Sequence, residues 1–309
     1  MSGNAVKSQL TTDPPGGVDY TQVLVGAPGG KSSNVFYGVM GVLIGYFFLY
    51  PIINEGVVYL GWTMRGHPGD FPGFFTSAQG FNQIEGMVGA FLSLAAFIGL
   101  VALVMRVLHR RDSVWTSSVQ PGVRWRYLIV VVLISVVVLN AVYWVTTGRT
   151  DFHWQPQAQA WVWLVVIVLL APLQAAGEEY LFRGYLMQVI GLLTKRRWVV
   201  VLVSGAVFAA MHGEQNVALI ADRFAFGCVM GALVVLTGGL EAAIAAHAVN
   251  NVFAFGYAAL SGGVSQSHDL TAVSWPVAVS NIVAYVVVGV LAWRVGVVMK
   301  VATRTPGER

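Results

Sequence analysis

The sequence predicts an all-α fold, a polytopic bundle of about eight transmembrane helices. Three observations predict it. Hydrophobic residues make up 56% of the 309 positions. Charged residues make up only 10%, where a soluble domain carries about 25%. The polar residues fall into short stretches between apolar runs, most of them near the roughly 20 residues that a helix needs to cross a bilayer.

In chain order, residues 1–34 are rich in Gly, Ser, Thr and Pro and lack the apolar core of a signal peptide, so they read as a disordered cytoplasmic tail. The first apolar segment runs from about Val35 to Leu60, the second from Ile84 to Leu108, and the third from Tyr127 to Val145. The fourth stays apolar from Trp161 to Leu193, too long for one perpendicular helix, with Pro172 in mid-run. A proline there removes a backbone donor and predicts a kink, with Ala175 to Leu193 as a separately tilted helix. The fifth spans Trp198 to Met211, the sixth Val217 to Leu236, the seventh Leu240 to Leu260 and the eighth Val277 to Met299. Residues 35–300 thus form one membrane domain, followed by a short cytoplasmic tail, 301–309.

Charge sorting sets the orientation. With the N-terminus in the cytoplasm, the inner loops and tails hold Lys7, Lys31, Arg106, Arg110, Arg111, Arg124, Arg126, Lys195, Arg196, Arg197, Arg294, Lys300, Arg304 and Arg309, and the outer loops only Arg65 and Arg149. Cytoplasmic loops of membrane proteins carry this excess. Eight spans with both termini inside preserve it, and the expected location is the cell membrane. Trp62, Trp154, Trp161, Trp198, Trp275 and Trp293 fall at segment edges, as interfacial anchors do. A net charge of +4 without a long basic tract points away from nucleic acid. The single cysteine, Cys228, excludes an internal disulfide and any multi-cysteine metal site.

Ionisable side chains inside membrane helices cost about 2.5–3.5 kcal/mol each on insertion scales and need a reason. Here they gather in the second half of the chain. In Glu178-Glu179-Tyr180-Leu181-Phe182-Arg183, Glu179 and Arg183 are spaced i, i+4 and can pair on one helical face. Glu178 points about 100° away, with no cation at i+3 or i+4, which suits a general base or acid. Phe208-Ala209-Ala210-Met211-His212 ends the fifth segment, and His247-Ala248-Val249-Asn250-Asn251 lies in the seventh. His247 and Asn251 share a face; such a stripe either glues helices together or lines a wet cavity. A carboxylate, two imidazoles and an amide inside one bundle can activate water and stabilise an oxyanion. Two histidines and one carboxylate can equally bind a divalent metal such as zinc, although the chain lacks a His-Glu-x-x-His helix.

In order and spacing, Glu178-Glu179-x-x-x-Arg183, Phe208-x-x-x-His212 and His247-x-x-x-Asn251 resemble the motifs of the CPBP family, the CAAX proteases and bacteriocin-processing enzymes also called the Abi family. The resemblance covers about residues 160–260. It implies a helical membrane fold, an active site inside the bundle, and intramembrane endopeptidase activity on a membrane-associated protein or peptide. By position, Glu178 would activate water, His212 would assist it or bind the oxyanion, and His247 and Asn251 would complete the site. Glu179 would act as structural support through Arg183. If a metal takes part, its ligands would be Glu178, His212 and His247. The competing readings are a catalytically silent scaffold or regulator of a partner such as a sensor kinase, and a proton-coupled transporter. The intact motifs favour the enzyme, and the lack of paired broken helices in two matching halves disfavours the transporter.

The remaining polar residues read more plainly. Asp222-Arg223 suits an internal pair or an interface anchor, Glu214 and Asn216 the mouth of the site, Glu55 and Glu85 the helix ends, and Asn281 interhelical glue. On this topology His212 lies about 14 residues, roughly 20 Å, from the inner end of its helix, and His247 about seven residues, roughly 10 Å. They meet only if helices tilt or the seventh begins deeper.

Overall fold

The computed structural model describes residues 11–307 except 31, 147, 214 and 266–269; Glu214 therefore lies outside the described residues. The principal helices are α1 (Ser32–Met64), α2 (Phe71–Gln79), α3 (Ile84–Val107), α4 (Trp125–Thr146), α5 (Ala160–Leu193), α6 (Arg197–Ala210), α7 (Val217–Thr237), α8 (Glu241–Leu260) and α9 (Trp275–Val298). Among the described residues β-structure is confined to isolated bridges. The protein is an all-helical polytopic bundle, as the apolar runs require.

Seven of these helices are long and apolar enough to cross a membrane, where the sequence predicts eight. The exception is α6. Its 14 residues extend about 21 Å at 1.5 Å per residue, short of a hydrocarbon core about 30 Å thick. It nevertheless runs from one end of the bundle toward the other, and packs along α7 where Gly205 meets Gly227. Small residues at such a crossing let two backbones approach closely.

Helix contacts form a closed circuit, α5–α8–α4–α9–α7–α6 and back to α5, with α3 and α1 stacked outside α5. Polar atoms are buried inside this circuit, and long apolar side chains such as Phe47, Leu133 and Val168 face outward. The α5 helix runs through Pro172 without ending there. Its irregularity comes later, in a π-helical segment, Tyr180–Leu186. Such wide turns recur at functional sites, and this one starts directly after Glu179. A second π-helical segment, Gly45–Leu49, interrupts α1.

The stretch expected to be a disordered tail is folded over residues 11–30; residues 1–10 lie outside the described residues. Tyr20, Val23 and Leu24 are completely buried in the main core. Gln22 donates to the Gly191 carbonyl at 2.8 Å, and Arg111 donates to the Thr12 carbonyl at 2.6 Å. Three apolar side chains inside a Gly/Pro-rich stretch are too few to register as periodicity, yet they suffice to pin the segment. The tail expected at 301–309 is also held, through residue 305: the Thr305 amide donates to the Val18 carbonyl at 2.9 Å, and the Gly17 amide donates to that of Thr305 at 3.0 Å. Both described chain ends thus sit at one end of the bundle, the terminal end. Burial lowers the pKa of His109 there, and its ring nitrogen meets the Tyr185 hydroxyl at 3.1 Å.

This cover lies over the α7–α8 turn. The Val119 amide donates to the Gly238 carbonyl, and the Leu240 amide to that of Ser117. Gly238 ends α7 with φ +70°, a left-handed conformation that glycine adopts without strain. Glu241, at the start of α8, is 1% exposed and takes a two-pronged contact from Arg124. Helix α8 therefore begins inside the protein.

One close approach positions the site. A Cβ on Gly177 would lie 2.0 Å from the Leu94 carbonyl oxygen, so α3 and α5 touch backbone to backbone one residue before Glu178. Gly177→Val should push the two helices apart, lower the thermal midpoint in detergent by several degrees, and reduce activity through displacement of Glu178. An unchanged melting curve would contradict this packing.

Candidate functional site

The second half of α5, the end of α6 and the first half of α8 converge on one imidazole. Glu179 Oε1 accepts from Arg183 Nη1 at 3.0 Å and from His247 Nδ1 at 2.7 Å. Glu179 and Arg183 are both completely buried, and His247 is 4% exposed. The i, i+4 pairing read from the sequence is present, and it also orients a histidine from another helix. Because the Glu179 carboxylate can only accept, His247 carries its proton on Nδ1 and directs Nε2 elsewhere. That second nitrogen stands 3.4 Å from Glu178 Oε2. The neighbouring glutamates, about 100° apart on α5, therefore take the two nitrogens of one ring. The Nε2 lone pair and a carboxylate are compatible at that distance when a proton lies between them.

Aromatic rings wall this chain of charges. The Arg183 guanidinium lies 4.3 Å from the Phe208 ring centre, a cation–π contact in a water-poor setting. Phe226 meets the His247 ring edge-on at 4.9 Å. Phe208, the first residue of its motif, packs at 4.6 Å on His212 and at 6.2 Å on His247, so the two histidines flank one phenylalanine.

His212 sits in the turn after α6. Its Nδ1 donates to the Phe208 carbonyl at 2.7 Å, which fixes the tautomer and leaves Nε2 as an acceptor in the neutral ring. Among the described residues nothing bonds Nε2. Glu178 and His247 lie close enough to His212 for their charges to act on it. Asn251 bonds to none of Glu178, His212 and His247; its Nδ2 donates to Gln174 Oε1 at 2.7 Å, and its Oδ1 accepts from Asn250 at 3.2 Å. Gln174 is one turn before Glu178, so Asn251 is tied to the helix that carries the carboxylate.

Three side chains near this site were missed in the sequence. Gln174 could have been found as the i−4 neighbour of Glu178. Tyr46 and Tyr50 of α1 stack with ring centres 6.2 Å apart, close enough to Glu178 for its charge to act on both. Their signal was a pair of phenols at i, i+4 in an apolar helix.

Asp222 and Arg223 do not pair with each other. Asp222 accepts from Asn281 Nδ2 at 2.9 Å. The reading of Asn281 as interhelical glue fits this contact, which joins α9 to α7.

The metal alternative can be judged on the donors. A separation of 3.4 Å is about the edge of a zinc tetrahedron with bonds near 2.0–2.2 Å, so Glu178 and His247 alone could face an ion. A third ligand is not in position: among the described residues no group of three or more His, Cys, Asp or Glu side chains is spaced to hold a metal. The Nδ1 contact to Glu179 is one that metal-bound histidines also make; it is the missing third ligand that favours a hydrogen-bonded acid–base pair.

Part of the chain is similar to known proteins. Residues 157–253 match the family model described as type II CAAX prenyl endopeptidase Rce1-like. The chain is also similar to the uncharacterized protein YyaK of Bacillus subtilis (strain 168), 35% identical over 103 residues, or 31% of this chain and 34% of that protein. The match thus spans about a third of the length of that relative. No solved structure matches.

Proposed function

We propose that this chain, whose residues 157–253 form an Rce1-like domain, is an intramembrane endopeptidase that hydrolyses a peptide bond of a membrane-associated protein or peptide. The observation that carries the reading is the buried relay Arg183–Glu179–His247–Glu178, with His247 held at both ring nitrogens. In an apolar bundle such a relay has one evident use, moving a proton at a fixed place.

In the proposed reaction Glu178 takes a proton from water, and the resulting hydroxide attacks the carbonyl carbon. Nε2 of His212, aimed by the Phe208 carbonyl, accepts from the same water and orients it. Negative charge grows on the carbonyl oxygen, where the second N–H of Asn251 Nδ2 is the side-chain donor. The proton on Glu178 passes to the leaving nitrogen as the C–N bond breaks, with His247 Nε2 as its relay. Glu179 and Arg183 hold the ring in place and meet no substrate. No step is routed through a metal, and cleavage by the purified protein should survive excess chelator; a loss restored by added zinc would overturn that part.

The substrate is proposed by class, as an unfolded segment delivered by the bilayer. Cell-membrane location with both termini cytoplasmic is part of the same proposal and follows from the charge sorting. The test compares membrane proteomes of cells carrying the wild type and Glu178→Gln. One or more full-length membrane proteins should accumulate only with the variant. Identical proteomes, with purified wild type inert on candidate peptides, would overturn the reading.

A further inference from the structure

A cavity of about 420 Å³ lies at the terminal end of the bundle, between the start of α4 and the end of α9. Arg124, Trp125, Arg126, Tyr127, Met299 and Lys300 stand on its wall, and among the described residues no acidic side chain joins them. Its floor is already committed. The Tyr127 hydroxyl donates to the Ala292 carbonyl at 2.9 Å, and Arg124 gives its guanidinium to Glu241 and to the carbonyls of Thr237 and Ala302. Arg126 and Lys300 are free by contrast. Both are exposed, and their side chains make no hydrogen bond or ion pair among the described residues.

Lys300 is held in an unusual place. The Val301 amide donates to the Gly296 carbonyl at 3.0 Å, and the Lys300 amide to that of Val297 at 3.1 Å. This pair of bonds closes a helix on a left-handed residue, which is usually glycine. Here it is lysine, with φ +54°, so the chain accepts strain where it sets an ammonium on the cavity rim. Beside the cations the rim is apolar. Trp125, Ile129, Leu133 and Val137 follow one another at four-residue spacing along α4 and are 54–68% exposed. They form a ridge about 18 Å long at 1.5 Å per residue, a little more than one leaflet of a hydrocarbon core about 30 Å thick.

We infer that this cavity binds an anionic phospholipid, with its phosphate between Arg126 and Lys300 and an acyl chain along the α4 ridge. Charge sorting assigns this end of the bundle to the cytoplasm, where the leaflet is negative and basic pockets between membrane helices take anionic head groups. A zwitterionic lipid would bring its own cation against two more. A lipid held here would tie α4 to the end of α9 and steady the neighbouring Ala302 carbonyl on Arg124. The same arginine grips Glu241, which starts the helix carrying His247. The inference rests on the membrane location and the charge sorting, not on the endopeptidase reading.

The test titrates the full chain in neutral detergent with phosphatidylglycerol and with phosphatidylcholine, and reads the thermal midpoint and the lipid retained in native mass spectrometry. The wild type should bind phosphatidylglycerol about tenfold more tightly than phosphatidylcholine and melt several degrees higher with it. The double variant Arg126→Gln, Lys300→Gln should keep the lipid-free midpoint and lose the preference. Lys300→Gly should weaken the preference without lowering the lipid-free midpoint, because glycine adopts that φ without strain. Equal binding of the two lipids by the wild type, or a preference that persists in the double variant, would overturn the site. So would an equal loss in Lys195→Gln, Arg196→Gln, which would mean unspecific attraction to any basic cluster. Soluble glycerol phosphate that raises the midpoint as much as the lipid would make it a free-anion site. Dimers that dissociate in the double variant, with no lipid retained, would give the face to a second copy of the chain; either result overturns the lipid.

Discussion

Glu178→Gln should abolish measurable cleavage, with a loss of about 10²–10⁴-fold, the range that a positioned acid–base group contributes. Glutamine keeps the size and the hydrogen-bonding shape of the side chain but cannot take a proton from water. The carboxylate is 13% exposed and has a single ionic contact, His247 Nε2 at 3.4 Å, so the fold loses little. Insertion, yield and the melting curve should match the wild type. Loss of cleavage together with loss of the folded protein would mean that Glu178 holds the structure. Retention of the cellular phenotype in a cleavage-dead variant would return the scaffold reading.

Arg183→Met should have the largest effect on stability. It keeps much of the apolar bulk between Phe182, Phe208 and Phe226, whose rings surround the guanidinium, but it leaves the Glu179 charge without its cation. Breaking a buried pair by removing one partner costs about 3–5 kcal/mol. Glu179→Gln should cost less, since a neutral amide can still meet both Arg183 and His247. The ranking Arg183→Met below Glu179→Gln below wild type can be read from thermal denaturation in detergent. The same order in cleavage, beyond what unfolding explains, would show that aiming His247 matters to the reaction. A stable Arg183→Met protein would contradict the ion-pair account.

Much of this was legible in the sequence because lipid is an unforgiving solvent. Seven apolar runs became seven long helices within a few residues of their expected limits, since backbone groups in a bilayer have few alternatives to a helix. Glu179 and Arg183 met as their spacing required. What was not legible depended on partners distant in the chain. Nothing local to Glu178 announces that it shares a histidine with Glu179, because that histidine comes from α8. Asn251 lies on the same helical stripe as His247, yet it turns to Gln174, a choice made by the position of α5. The π-helical segment after Glu179 has no compositional mark. The fold of residues 11–30 was hidden because Tyr20, Val23 and Leu24 work by filling a place that other elements build.

The pairing of residues 17–19 with 304 and 305 has a consequence for biosynthesis. The first of these segments leaves the ribosome early, and its partner follows some 287 positions later. The early segment can dock on Arg111 and Gly191 long before that, but its pairing with residues 304 and 305 must wait until these have been made. The terminal end of the bundle therefore closes in two stages, the second of them late. A product stalled between them would carry every candidate catalytic side chain in the membrane without that last pairing.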